Sequence, residues 1–290
     1  MIRKIFGVSI ILIITLSLSA QKFQVKKNIL VYKRINDIEL EMVVYRPELQ
    51  FDVQLPAIVF YFGGGWVGGN PDHFALQAEY FASRGMVVIC PDYRTKSKNG
   101  TSPFESVKDA ISAMRYIKFH GKELGIDTTK IVASGGSAGG HLAACTALID
   151  DVEEETDNKN ISPVPFALVL FNPVVDTGKR GYGQEKMDGR EFEISPVHHI
   201  DKDVPPTLIM HGMADEVVPY ENVKRFNEVM KQEGNECVLI GYKKQGHGFF
   251  NYNRKPRFFR KTLQRTESFL DEYNLLKGES WMKKYVKSLE

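Results

Sequence analysis

Cysteine is scarce in this chain, with Cys90, Cys145 and Cys237 the three present. An odd number at wide spacing excludes a disulfide framework, and each sits in an apolar segment, where a thiol behaves as a small hydrophobe. Strong charge of either sign is also missing. A formal net charge of +2 over 290 residues, with no basic stripe, leaves no electrostatic footprint for nucleic acid or for an anionic membrane surface. Low-complexity tracts, heptad runs and internal repeats are absent, which excludes solenoids and coiled coils. Long apolar runs are missing too. The stretch from Ile5 to Leu18 falls short of the roughly 20 residues a membrane-spanning helix needs. What remains as a partner is a small or polymeric neutral molecule.

That stretch follows Arg3 and Lys4 and ends in the small residues of Ser17-Leu18-Ser19-Ala20. A positive start, an apolar centre and a small-residue exit describe a signal peptide over residues 1–20, cleaved near Ala20-Gln21. No cysteine lies just past the expected cut, which argues against a lipid anchor. The expectation is an exported protein, periplasmic or secreted, with no stable membrane insertion after cleavage.

Residues 21–290 then alternate short apolar runs with longer amphipathic ones. Strands are expected at Val25 to Arg34, Ile38 to Tyr45, Ala57 to Phe62, Met86 to Cys90, Ile131 to Ala133, Phe166 to Phe171, Thr207 to Met210 and Cys237 to Tyr242. Helices are expected at Phe74 to Ser83, Phe104 to Leu124, His141 to Ile149, Glu221 to Gln232 and Phe258 to Tyr273. Such alternation implies one α/β domain, a mostly parallel central sheet with helices on both faces. Asp150 to Ile161 reads as a solvated acidic loop. The long mixed segment of residues 173–203 reads as a lid insertion over the site.

Gly135-Gly136-Ser137-Ala138-Gly139 lies between an apolar run and a helical one. Gly-x-Ser-x-Gly in strand–turn–helix context lifts a serine hydroxyl clear of the backbone. Serine needs a positioned base, and His247, between Gly246 and Gly248 after the last strand, is the candidate. Asp215, beyond the Thr207 strand, would orient that imidazole; Asp176 is the alternative acid. Backbone N–H groups of Gly64, Gly65 and Ala138 are candidate oxyanion donors, because glycine leaves room for close approach. Neither metal nor organic cofactor is required. His198-His199 with Asp201 matches no familiar metal spacing. His141 is expected to be structural, and His211 to shape the acid loop. Asp92-Tyr93-Arg94 is expected to brace the glycine-rich turn.

With Phe62-Gly63-Gly64-Gly65-Trp66, Pro91-Asp92-Tyr93-Arg94, the serine motif, His211 to Asp215 and Gly246 to Phe250, the chain resembles the α/β-hydrolase superfamily. Within it, the resemblance is to hormone-sensitive-lipase-like and acetyl-xylan-esterase-like enzymes. Ile194-Ser195-Pro196-Val197-His198-His199 is similar to a segment of exported bacterial esterases. The resemblance implies an ester hydrolase acting on acetyl or other small acyl groups, on a small molecule or a glycan. The lipase-like pattern has histidine where this chain has Phe62, which leaves open what steadies the turn. Trp66 has two readings, substrate binding in the acyl pocket or packing beneath the lid. A lipase-like or peptidase-like serine hydrolase and a non-catalytic binding protein on the same fold are the alternative functions.

Overall fold

The computed structural model describes residues 22–48 and 53–290. The expected signal peptide lies outside these residues. Eight strands form one sheet: β1 (Val25–Ile35), β2 (Ile38–Pro47), β3 (Leu55–Tyr61), β4 (Val87–Pro91), β5 (Ile126–Gly136), β6 (Ala167–Phe171), β7 (Thr207–Gly212) and β8 (Cys237–Tyr242). Their spatial order is 1-2-4-3-5-6-7-8. β1 and β2 form an antiparallel hairpin turning at Asn36 (φ 49°), and β2 runs antiparallel to β4. Every pairing from β4 to β8 is parallel. The α/β-hydrolase architecture expected from the sequence is therefore the one observed.

The helices are α1 (Ala75–Ser83), α2 (Lys96–Asn99), α3 (Pro103–Phe119), α4 (Gly121–Leu124), α5 (Ala138–Leu148), α6 (Tyr220–Gln232), α7 (Pro256–Glu272) and α8 (Met282–Ser288). β3 shows how the sheet serves two cores. Ala57, Val59 and Tyr61 enter one with Val107, Leu142 and Phe226 of α3, α5 and α6. Ile58 and Phe60 enter the other with Phe81, Leu263 and Tyr285 of α1, α7 and α8. A side-chain period of two forces that partition, and it is why these central strands are apolar throughout. α3 begins at Ser102, whose side chain and that of Glu105 cap each other's backbone N–H groups, with Pro103 in the first turn.

Three expectations need correcting. The single helix from Phe104 to Leu124 is interrupted at His120. Gly121, which opens the second helix, lies so close to Thr128 that a Cβ there would sit 2.2 Å from its Cγ2. The acidic loop is not simply solvated: Val152 and Glu154 are buried. Glu154 accepts from Lys33 Nζ (2.9 Å) and Arg94 (2.8 Å), and both cations also meet the fully buried Asp109. Asp157 and Glu153 receive Arg115. Its charges are counter-ions for Lys33 of β1, Arg94 after β4 and Arg115 of α3, partners that no local window of sequence displays. Thirdly, α2 and α8 were not expected. The cysteines match expectation, all three buried and free, with burial pushing their thiols above the ordinary pKa.

Candidate active site

The loops after β3, β5, β6, β7 and β8 meet at the carboxyl end of the sheet, where open α/β folds bind ligands. β5 lies between β3 and β6, with Tyr61 opposite Gly135 and Gly136 opposite Phe171. Ser137 follows at once, with φ 58° and ψ −122°. Its N–H donates to Phe171 O (2.9 Å), and its own carbonyl accepts from Val174 and His141. The turn is so tight that a Cβ on Gly139 would lie 2.1 Å from Tyr61 O. The glycine after the serine is therefore a steric requirement.

Ser137, His247 and Asp215 come together. Ser137 Oγ lies 2.8 Å from His247 Nε2, and His247 Nδ1 lies 2.8 Å from Asp215 Oδ2. A carboxylate only accepts, so Nδ1 carries the ring proton and Nε2 accepts from the serine hydroxyl. Asp215 Oδ1 accepts from the N–H groups of Val217 (2.9 Å) and Val218 (3.0 Å). Burial opposes ionisation of Asp215. Hydrogen bonds from His211, His247 and Val218 overcome it and hold the carboxyl well below the usual carboxylate range. His211 Nε2 donates to Val218 O (2.9 Å) and lies 3.3 Å from Asp215 Oδ2, so it shapes the acid loop. Asp176, the alternative acid, is taken up by Arg225 at 2.9 Å and by the Gly178 N–H.

Gly64 and Gly65 face Ser137 across a cleft of about 340 Å³ that His73, Asn172, Tyr182, Phe250 and Arg254 also line. Among the described residues, the N–H groups of Gly64, Gly65 and Ala138 have no hydrogen-bond acceptor. Gly64 adopts φ 139°, and a Cβ there would lie 1.9 Å from Gly68 O. Trp66 requires a correction to its substrate-binding role. It is buried, edge-on to His141 at 5.0 Å and beside Tyr182 and Lys186 of the 173–203 segment, and it does not line the cleft.

The brace of the glycine-rich turn is partly as expected. Tyr93 stacks on Phe62 at 3.9 Å and its hydroxyl donates to Phe62 O (2.8 Å). Arg94 instead belongs to the buried ion network around Asp109. His198 and His199 are engaged by Ser195 and Arg225, and by Phe192 O. His141 is buried and its Nε2–H donates to Ile194 O (2.6 Å).

Sequence reasoning passed over three polar residues. Asn172, at the end of β6, accepts from Gly248 N–H (3.1 Å) through Oδ1 and so holds the loop of His247. His73 accepts from Gly63 N–H (3.0 Å) and meets Asn251 (2.9 Å). An Asn just past a strand end is a usable signal; nothing local distinguishes His73 or Asn251.

Comparison with known proteins sets this fold among esterases. Esterase 2 of Thermogutta terrifontis superposes with a TM-score of 0.82 at 41% identity, covering 90% of this chain and 98% of that one. Structures of that esterase with propionate and with butyrate bound match with a TM-score of 0.81 at 40% identity, covering 89% of this chain and 97% of that one. A probable carboxylic ester hydrolase of Mycobacterium tuberculosis is 28% identical over 72% of this chain and 52% of its own length. An acetylxylan esterase of Xylanibacter ruminicola is 27% identical over 74% of this chain and 44% of its own. The chain thus spans about half the length of these two relatives. Residues 42–178 and 181–230 match the BD-FAE family. With the fold, these matches place the chain in that family of α/β-hydrolase esterases.

Proposed function

We propose that this protein is an exported serine carboxylesterase that hydrolyses short-chain acyl esters, acetyl above all, on a small molecule or a glycan. The observation that carries the reading is the continuous line from Ser137 Oγ through His247 to Asp215, each link 2.8 Å, beside unoccupied N–H donors. His247 Nε2 takes the serine proton as Oγ attacks the acyl carbon, and Asp215 stabilises the imidazolium that results. The oxyanion formed is received by Gly64, Gly65 and Ala138. His247 then gives its proton to the departing alkoxide, and the cycle repeats with water as nucleophile to free the acid. The ionised Asp215 keeps its role throughout the working pH range.

Short acyl groups fit the inner wall of the cleft. Phe250 lies within 4.9 Å of Phe171 and 5.7 Å of Phe74, ring to ring, and a Cβ on Gly136 would lie 2.6 Å from its Cζ. That packed aromatic cluster on the cleft wall supports a short acyl chain. Propionate and butyrate in the Thermogutta esterase, and the acetylxylan esterase relative, support the same choice. The test is turnover of p-nitrophenyl acetate by the wild type and by Ser137→Ala. If both are equally inert, the binding-protein reading gains. Acetate release from acetylated xylan, set against fatty-acid release from long-chain esters, then distinguishes deacetylase from lipase. Export is tested by the N-terminus of the secreted protein, expected at Gln21.

A further inference from the structure

We propose that His73 is a positioning residue of the esterase reaction, tying the oxyanion loop to the loop that carries His247. The inference rests on the esterase reading above. Phe62 stands where the lipase-like pattern has histidine, and its ring is committed to Tyr93. The polar brace comes instead from the turn before α1. His73 lies in the short 3-10 turn Pro71–Phe74, whose start is capped by the Asn70 side chain at Asp72 N–H (2.9 Å).

The hydrogen bonds fix its protonation. Asn251 Nδ2 donates to Gly248 O (3.0 Å), so Asn251 Oδ1 is the atom facing His73 Nε2 at 2.9 Å. That oxygen only accepts, so Nε2 carries the ring proton and Nδ1 is bare. The bare Nδ1 is what Gly63 N–H needs, at 3.0 Å. Burial, with Arg254 and His247 nearby, pushes His73 below the ordinary histidine value against the opposing bond to Asn251, which favours this neutral form. The result is one chain of bonds, from Gly63 through His73 and Asn251 to Gly248, and from Gly248 N–H to Asn172.

Position gives the chain its consequence. A Cβ on Gly63 would lie 2.8 Å from Gly136 O and 3.3 Å from Ser137 Cβ, so Gly63 abuts the nucleophile turn. Gly64 and Gly65, the candidate donors, follow it directly. Gly248 adjoins His247. His73 therefore sets the distance between the donors for the oxyanion and the base.

His73→Ala removes both bonds, whereas His73→Gln can replace them with an amide oxygen toward Gly63 and an amide N–H toward Asn251. Active sites are counted first by stoichiometric reaction with an organophosphate, so that misfolded protein does not enter kcat. Loss of a whole oxyanion donor costs about 10²–10³ in rate; loosening a loop that holds two is expected to lower kcat about 10- to 100-fold in His73→Ala. KM should stay nearly constant, and Asn251→Ala should move the same way by less. His73→Gln should recover most of the loss. Inhibition by an alkyl trifluoromethyl ketone, which forms an oxyanion on Ser137, should weaken in step with kcat/KM, while butyrate binding stays unchanged. Unchanged kcat per titrated site in His73→Ala, a loss wholly in KM, or a glutamine variant no better than alanine would each overturn the proposal. A wild type inert to both ester and organophosphate overturns the esterase reading itself; an active wild type with an undiminished alanine variant overturns this inference alone.

Discussion

His141 should make the protein lose stability in mild acid, by an amount that follows from its surroundings. The imidazole is buried between Trp66 and the carbonyl of Ile194. Burial lowers its pKa from 6.5 to about 4, despite the bond to Ile194, which acts in the opposite direction. The unfolded chain therefore binds more protons than the folded one between those two values. The contribution of His141 is complete above the unfolded value and is lost as pH falls toward the folded one. Linkage over the interval from about pH 7 to about pH 5 gives a loss of about 2 kcal/mol from this residue. His141→Gln retains a donor for Ile194 but cannot ionise, so its stability should lack this component. Reversible urea unfolding of both proteins at the two pH values supplies the test, read from midpoints at constant m. All other titrating groups are shared and cancel in the comparison. A wild type that tracks the glutamine variant within about 0.5 kcal/mol would refute the premise that the ring stays neutral beneath the 173–203 segment.

Three other outcomes follow from the geometry. Asp109→Asn leaves Lys33 and Arg94 short of a buried partner and should cost about 3–5 kcal/mol, measured by chemical denaturation; a cost under about 1 kcal/mol would mean that Glu154 alone suffices. Asp215→Asn puts an amide opposite His247 Nδ1 and should lower kcat about 10⁴-fold, and a decrease below about tenfold would remove Asp215 from the triad. Gly139→Ala drives a methyl group into Tyr61 O and Phe62 O, so soluble protein with the wild-type melting temperature would contradict the packing at the nucleophile turn.

Elements with strong periodicity were legible from sequence. β8 was read to the residue, and α6 and α7 to within two residues, because Val223, Phe226 and Met230, and Phe259, Leu263 and Leu270, recur at helical spacing. α8 was missed although Met282, Tyr285 and Val286 carry the same spacing, since the segment is only seven residues long. Ser137, Asp215 and His247 were legible because glycines and chain order mark them, and the structure brings them into hydrogen-bond contact. What escaped reading is pairing between distant segments. Glu154 looks like a surface acid until Lys33, 121 residues away, is placed beside it. Trp66 adjoins the glycine-rich turn in sequence, yet its indole packs beside Tyr182 and Lys186 of the 173–203 segment.

Ser137 itself holds a left-handed backbone conformation, at φ 58° and ψ −122°, that side chains seldom adopt. Of two replacements that remove its hydroxyl, alanine inherits the strain and glycine relieves it, so Ser137→Gly should melt higher than Ser137→Ala by an amount worth about 1 kcal/mol. Heat resistance and chemical competence thus pull in opposite directions at this one position. A laboratory selection for endurance alone, blind to turnover, would drift there toward a sturdier and silent molecule.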